Sequence, residues 1–169
     1  NQGPHEPIMG VEIGRGGFAI RGLVAINDVD AGHLGSIEVL YPFSDAVAQL
    51  GKSADKGLAV YMAAEHLQTA TKLADASQFP VRNGRFVRCA VTQADKILPM
   101  VDVEFLSAGM EKTTVKRDGD IAAGAWPIRD FSGKSVGVMV LGIDTSEQAQ
   151  ALTDIAQAGA SQSLAMQIE

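Results

Sequence analysis

Two stretches of 29 residues carry the reading: Gly22–Leu50, GLVAINDVDAGHLGSIEVLYPFSDAVAQL, and Gly124–Leu152, GAWPIRDFSGKSVGVMVLGIDTSEQAQAL. They align without a gap at an offset of 102. Gly22 meets Gly124, Ile26 meets Ile128, Asp28 meets Asp130, Gly35 meets Gly137, Ser44 meets Ser146 and Leu50 meets Leu152. These six identities exceed the roughly two that average composition yields by chance. Leu34/Val136, Ile37/Met139, Val39/Leu141 and Asp45/Glu147 are conservative pairs. In each copy a strand enters a turn that holds Asp, a second strand starts near Gly, and a capped helix follows. Self-similarity at a fixed offset implies one supersecondary unit written twice. The second copy reads as complete. Of the first, residues 1–43 supply only the closing strands, and the rest is expected upstream. The other arrangement open to the sequence joins 1–43 to the second module's sheet as one larger domain.

Outward from the repeat, Ile8–Ile13, Phe18–Ile26 and Leu34–Tyr41 read as strands, rich in β-branched residues and separated by Gly/Asp turns. Ser44 is an N-cap candidate for a helix after Pro42. From Ser44 to about Ala76 the composition is helical, and Val47, Leu50, Ala54, Leu58, Tyr61 and Ala64 recur at spacings of three and four. This predicts a long connecting helix over 44–77. Within 78–144, strands are expected at Arg85–Thr92, Thr113–Arg117, Ile121–Ile128 and Ser135–Ile143, with a stretch broken by Pro99 between them. Asp144 and Glu147 suggest a capping box for a helix over 145–169. The class is α/β in the mixed, α+β sense: a central antiparallel sheet of about five strands with long N-terminal and C-terminal helices.

Composition excludes several functions. Apolar residues make up 46% and charged residues 20%, as in a globular domain. With a net charge of −6, the chain lacks the basic field that nucleic-acid binding needs. The single cysteine, Cys89, excludes an internal disulfide and a cysteine-built zinc cage, and it reads as a small buried filler. No apolar run reaches the length of a membrane span, and Asn1–Pro7 is no signal peptide. Because it opens on Asn rather than Met, the chain is expected to be an excised or processed soluble piece.

Motifs that suggest chemistry mostly reduce to turns. Gly14-Arg15-Gly16-Gly17-Phe18-Ala19 matches a dinucleotide fingerprint, yet strand-like residues follow where a helix must open, so a glycine hairpin is expected. Gly51-Lys52-Ser53 and Gly133-Lys134-Ser135 lack the earlier glycine of a phosphate loop, since Ala46 and Ile128 stand there. His5, His33 and His66 have no metal-ligand spacing. No nucleophile with a base can be named, and neither cofactor nor metal is called for. What remains is polar and aromatic side chains set in apolar strands, the usual make-up of a pocket. In the second module Arg88 is expected to pair with an anionic group, with Tyr61 and Trp126 as aromatic walls. Arg85 is set in the same strand as Arg88, and Asp102 is expected nearby. In the first module Arg21 and Glu12 are the candidates. An arginine fork suits a carboxylate.

Gly10–Leu23 with Leu34–Val39, and Trp126–Val138, resemble the extracytoplasmic sensor region of bacterial methyl-accepting chemotaxis proteins, specifically the double-Cache (PAS-like) ectodomains. The likeness runs from Met9 to about Leu164. It implies PAS-like modules on a central antiparallel sheet, with a C-terminal helix leading toward the membrane. It implies no enzymatic activity, a small-metabolite ligand such as a carboxylate, and a periplasmic location. Membrane attachment would lie outside this chain, with homodimerisation through the helices. The small residues Ala149, Ala156, Gly159, Ala160 and Ser163 would let helices approach closely. The sensor domain of a histidine kinase or a diguanylate cyclase is the alternative, and a small nucleotide-binding α/β enzyme comes behind it.

Overall fold

The computed structural model describes residues 6–30, 32–52 and 56–166, with side chains as far as 156. Two antiparallel sheets form an α+β fold. The first is a meander of β1 (Ile8–Gly14), β2 (Gly17–Asn27) and β3 (His33–Pro42). A short helix, α1 (Phe43–Leu50), follows. The second sheet has six strands: β4 (Lys56–Ala63), β5 (Val81–Arg82), β6 (Phe86–Thr92), β7 (Thr114–Asp118), β8 (Ile121–Arg129) and β9 (Ser135–Asp144). Their spatial order is β5-β6-β4-β9-β8-β7. Helices α2 (Ala94–Ile97) and α3 (Val103–Glu111) connect β6 to β7, and α4 (Ser146–Met166) follows β9.

The repeat is a repeat of structure. β2 pairs with β3 up to Ile26↔Gly35, then slips to Asn27↔His33. β8 pairs with β9 up to Ile128↔Gly137, then slips to Arg129↔Ser135. Every partner and the bulge itself transfer at the offset of 102. The first meander does not extend the larger sheet. Its one backbone bridge to that sheet is Val11 with Asp130. It docks instead through the β1–β2 turn. Phe18 is 6% exposed and enters a core with Val47, Met62, Leu73, Ile128 and Val136. Gly137 makes room for the Phe18 ring: a Cβ there would lie 2.6 Å from its Cζ and would also strike the Tyr61 carbonyl.

The long helix expected over 44–77 is absent. Helix α1 spans eight residues, and Lys56–Ala63 is the strand beside β9, so the 78–144 module gains its central strand from the residues assigned to the connector. Gly57-Leu-Ala-Val-Tyr-Met62 is buried throughout because α2 and α3 cover one face while α1 and the first sheet cover the other. A strand buried on both faces shows no alternation, and its apolar run mimics a helical stripe. Two 3-10 turns, Ala64–Gln68 and Thr71–Leu73, occupy the remainder. Ser44 caps nothing, since Pro42 holds the N-cap position and Ser44 lies inside the helix. Pro99 does interrupt the 94–108 stretch, which splits into α2, a 3-10 turn and α3. Asp144 holds the start of α4 by accepting from the Ser146 backbone N–H at 3.1 Å. His5 and Ser53 lie outside the described residues, as do the side chains of Gly159, Ala160 and Ser163.

Candidate functional site

Strand parity divides the candidates. In the second sheet Tyr61 pairs with Arg88 on one side and Val138 on the other. Paired residues share a face, which places Arg88 beneath α2 and α3 with Tyr61, in the core that also holds Phe105, Leu106 and Val140. Arg82 pairs with Phe86, and Lys116 pairs with Ala123, which brings both to that same face. Trp126 pairs with Met139, whose neighbour on β4 is Val60, and these line the opposite face. The expected wall of Tyr61 and Trp126 is therefore not built. The sheet separates them, because β8 presents Ala125 where Trp126 would have to point.

Tyr61 is the buried polar centre of this face. Its side chain is fully enclosed, and its hydroxyl makes no well-formed hydrogen bond. Burial raises the phenol's pKa, while Arg82 and then Arg88 pull it back. Arg82 thus acts on the hydroxyl from a position short of a proper bond. The β5–β6 turn puts it there: Asn83 and Gly84 both adopt positive φ, 46° and 66°, and reverse the chain. Among the described residues neither Arg82 nor Arg88 forms an ion pair with a carboxylate. Asp102 is committed elsewhere. It caps α3 by accepting from the Phe105 N–H at 2.6 Å and takes a 2.7 Å ion pair from Lys116. Lys116, with the Phe105 N–H adding to it, holds the Asp102 carboxyl below its ordinary range. Lys116 also stands 4.7 Å over the Phe105 ring. A buried hydroxyl that can donate, flanked by the Arg82 and Arg88 guanidiniums, is an anion-receiving arrangement, with Arg82 also within the field of the Asp102 carboxylate.

Arg82 was legible only as a loop residue between Pro80 and Gly84. The two-residue strand that aims it inward leaves no periodic signal. Arg85 is the last residue of the β5–β6 turn, immediately before β6, 5.6 Å over the Phe86 ring. It borders an open cleft of about 410 Å³ that Glu65, Ser107 and Glu111 also line.

Arg21 and Glu12 do meet, but as partners of one another. Arg21 bonds Glu12 at 2.9 Å and Glu38 at 2.7 Å, joining all three strands of the first sheet. Both prongs are engaged, so this fork offers no free site for a carboxylate. The apolar pocket beside it, about 160 Å³, includes Ile8, Leu23 and Phe131.

Gly14–Ala19 forms the β1–β2 hairpin, with Gly14 opposite Gly17 and Gly17 at φ 90°. No helix opens there to receive a pyrophosphate. Cys89 is partly buried beside Val60 and Ala90, and desolvation pushes its thiol up to about 12. Among the described residues no group of His, Cys, Asp or Glu is placed to hold a metal, and no helix is long and apolar enough to cross a membrane. No protein family, curated protein or solved structure matches the chain.

Proposed function

We propose that this chain is the ligand-sensing part of an extracytoplasmic receptor of the double-Cache type, taking a small organic anion at Tyr61, Arg82 and Arg88. One observation carries the reading: two guanidiniums outside ion-pair distance of any described carboxylate flank a buried hydroxyl that makes no well-formed hydrogen bond. Buried polar groups are nearly always satisfied, and a carboxylate would satisfy all three at once. Each charge-assisted bond contributes about 1.5–3 kcal/mol. Two of them suit affinity in the micromolar to millimolar range, a useful range for a sensor.

The α+β architecture, with its central antiparallel sheet and repeated meander, fits the resemblance read from Gly10–Leu23 and Trp126–Val138. Helix α4 leaves directly from β9, the strand that adjoins Tyr61 on β4. A ligand that draws Arg82 and Arg88 together would bias the sheet, and α4 would carry that bias onward to a membrane-attached output, with homodimerisation through the helices. The same domain would serve a chemoreceptor, a histidine kinase or a cyclase.

The test is calorimetric titration of the chain with a panel of mono- and dicarboxylates and amino acids. A hit that weakens at least tenfold in Arg88→Ala and in Arg82→Ala, but not in Arg21→Ala, supports the assignment. Equal loss in Arg21→Ala, or no hit across the panel, sinks it.

A further inference from the structure

The face of the second sheet that looks away from Tyr61 holds a partly enclosed space. β6 carries a bulge beside it: Val60 pairs with Ala90 and Tyr61 with Arg88, which leaves Cys89 as an extra residue of β6. A bulge breaks the strict alternation of a strand and re-aims a side chain. Cys89 and Ala90 therefore stand in succession on one face, and both are small. Phe18, Phe43 and Phe79 surround them, and a cavity of about 170 Å³ remains between these residues. Val60 and Leu73, both buried, line it as well.

Protein interiors are close-packed, with few voids larger than a water molecule. An apolar cavity of about 150 Å³ stays dry and takes up benzene, and the space beside Cys89 is of that size. Its walls select the occupant. The three rings come from separate elements: β2, α1 and the loop before β5. Phe18 and Phe43 are tilted by 54° with their centroids 5.7 Å apart, in the manner in which aromatic rings prefer to meet. The Cys89 sulfur adds a soft, polarisable contact. Among the described residues no charged side chain lines the cavity, so a charged ligand would lose its hydration without gaining a partner. Gly16, Pro42 and Ser44 border it and are exposed, which marks the side open to solvent.

The hairpin that forms one wall is held in place. The Lys72 N–H donates to the Arg15 carbonyl at 2.9 Å. Gly17, at φ 90°, lies so close to Leu73 that a Cβ would fall 2.8 Å from its Cδ1. We infer that this cavity is a second binding site, for a neutral one-ring aromatic molecule seated among Phe18, Phe43 and Phe79 against Cys89. It lies back to back with Tyr61 and Arg88, whose chain neighbours Val60 and Cys89 line it, and it does not depend on the anion reading. A ring bound there touches the first sheet through Phe18 and the second through β6, so occupancy fastens the joint between them.

The test is calorimetric titration of the 169-residue chain with p-cresol. Saturable binding is expected, with a melting temperature that rises as p-cresol is added. Ala90→Leu fills the space and should weaken binding about tenfold or more. Saturating p-cresol should also slow the labelling of Cys89 by a disulfide reagent about fivefold or more, because the ring covers the thiol. That measurement needs no variant and decides the matter if Ala90→Leu does not fold. Benzoate, the same ring carrying a charge, should not displace p-cresol. Four results overturn the inference: no saturable binding, undiminished binding in folded Ala90→Leu, Cys89 labelled equally fast with and without p-cresol, or displacement by benzoate. The last would place the ring at the anion site instead.

Discussion

Asp28 and Asp130 hold the tips of two different hairpins by the same set of bonds. The Asp28 carboxylate accepts from the backbone N–H of Asp30 at 3.0 Å and of Gly32 at 2.6 Å. The Asp130 carboxylate accepts from Ser132 at 2.9 Å and Lys134 at 3.0 Å. In each turn the aspartate's own N–H reaches the carbonyl four residues on, at 2.9 Å. Such a side chain stands in for backbone partners that the turn leaves unpaired.

This equivalence predicts an unequal response to the same change. The second tip rests on the first sheet: it bridges Val11, and Phe131 packs against Gly10, while among the described residues Val29 of the first tip is fully exposed. Asp130→Ala should therefore lower the melting temperature more than Asp28→Ala. The Ser132 hydroxyl bond keeps the Asp130 carboxyl below its ordinary range. Its stabilisation is complete above the usual pKa of about 3.9 and fades as pH falls through the depressed value. Acid titration of the two variants should show a smaller loss of stability for Asp130→Ala than for the parent. Identical acid profiles would contradict that.

Tyr61→Phe should separate stability from binding. Removing a buried hydroxyl that lacks a good partner is neutral or stabilising by up to about 1 kcal/mol. Anion affinity should nevertheless fall several-fold by calorimetry. The variant also has an alkaline signature. Burial raises the phenol's pKa in the folded state. Stability tied to the neutral phenol is full below pH 10 or so and is lost as pH rises through the folded value. Parent protein should destabilise in that alkaline range more than Tyr61→Phe does.

Asp102→Ala removes the cap of α3, and losses of this kind are about 1 kcal/mol. It also releases Lys116 from its 2.7 Å ion pair. Denaturant unfolding should report the loss at pH 7. The difference from the parent should shrink in acid, once pH drops through the depressed Asp102 value. Asp102→Asn retains an oxygen at the cap and should recover part of the stability, whereas equal damage by both substitutions would implicate the ion pair instead.

Phe18→Ala empties the joint between the sheets. Loss of a buried phenylalanine is worth about 3–5 kcal/mol. Gly137→Ala should be similarly damaging, because its methyl meets both the Phe18 ring and the Tyr61 backbone carbonyl. Proteolysis of Phe18→Ala should cut β1–β3 selectively, leaving the six-stranded sheet intact, whereas Gly137→Ala, which also disturbs the β4–β9 pairing, should open both. Uniform cleavage of both sheets in Phe18→Ala would show that they fold as one unit.

The Cys89 thiol, pushed up to about 12, is almost wholly protonated at pH 8. A disulfide reagent should label it more slowly than a free thiol at pH 8 and faster as pH rises towards that value. Labelling as fast as that of a free thiol at pH 8 would contradict the raised value.

Sequence alone determined the repeat, the three strands of the first meander, the hairpin at Gly14–Gly17 and the break at Pro99. Each of these rests on local chemistry: β-branched runs, aspartate turns, glycines that reverse the chain, a proline without an N–H. The association of Tyr61 with Arg88 was also proposed from residue type. Tertiary structure decided what depends on burial and register. Lys56–Ala63 became a central strand because layers on both faces erased the alternation that marks a strand. Trp126 went to the far face because its partner is Met139 rather than Val138, a difference of one residue in register. Arg82 came to the Tyr61 face because the turn that directly follows it, Asn83–Gly84, aimed it there, and Arg21 is held in the first sheet because Glu12 and Glu38 take both its prongs. Local sequence encodes the elements and their turns; the partner of each strand, and hence the face each side chain occupies, is set by contacts between residues distant in the chain.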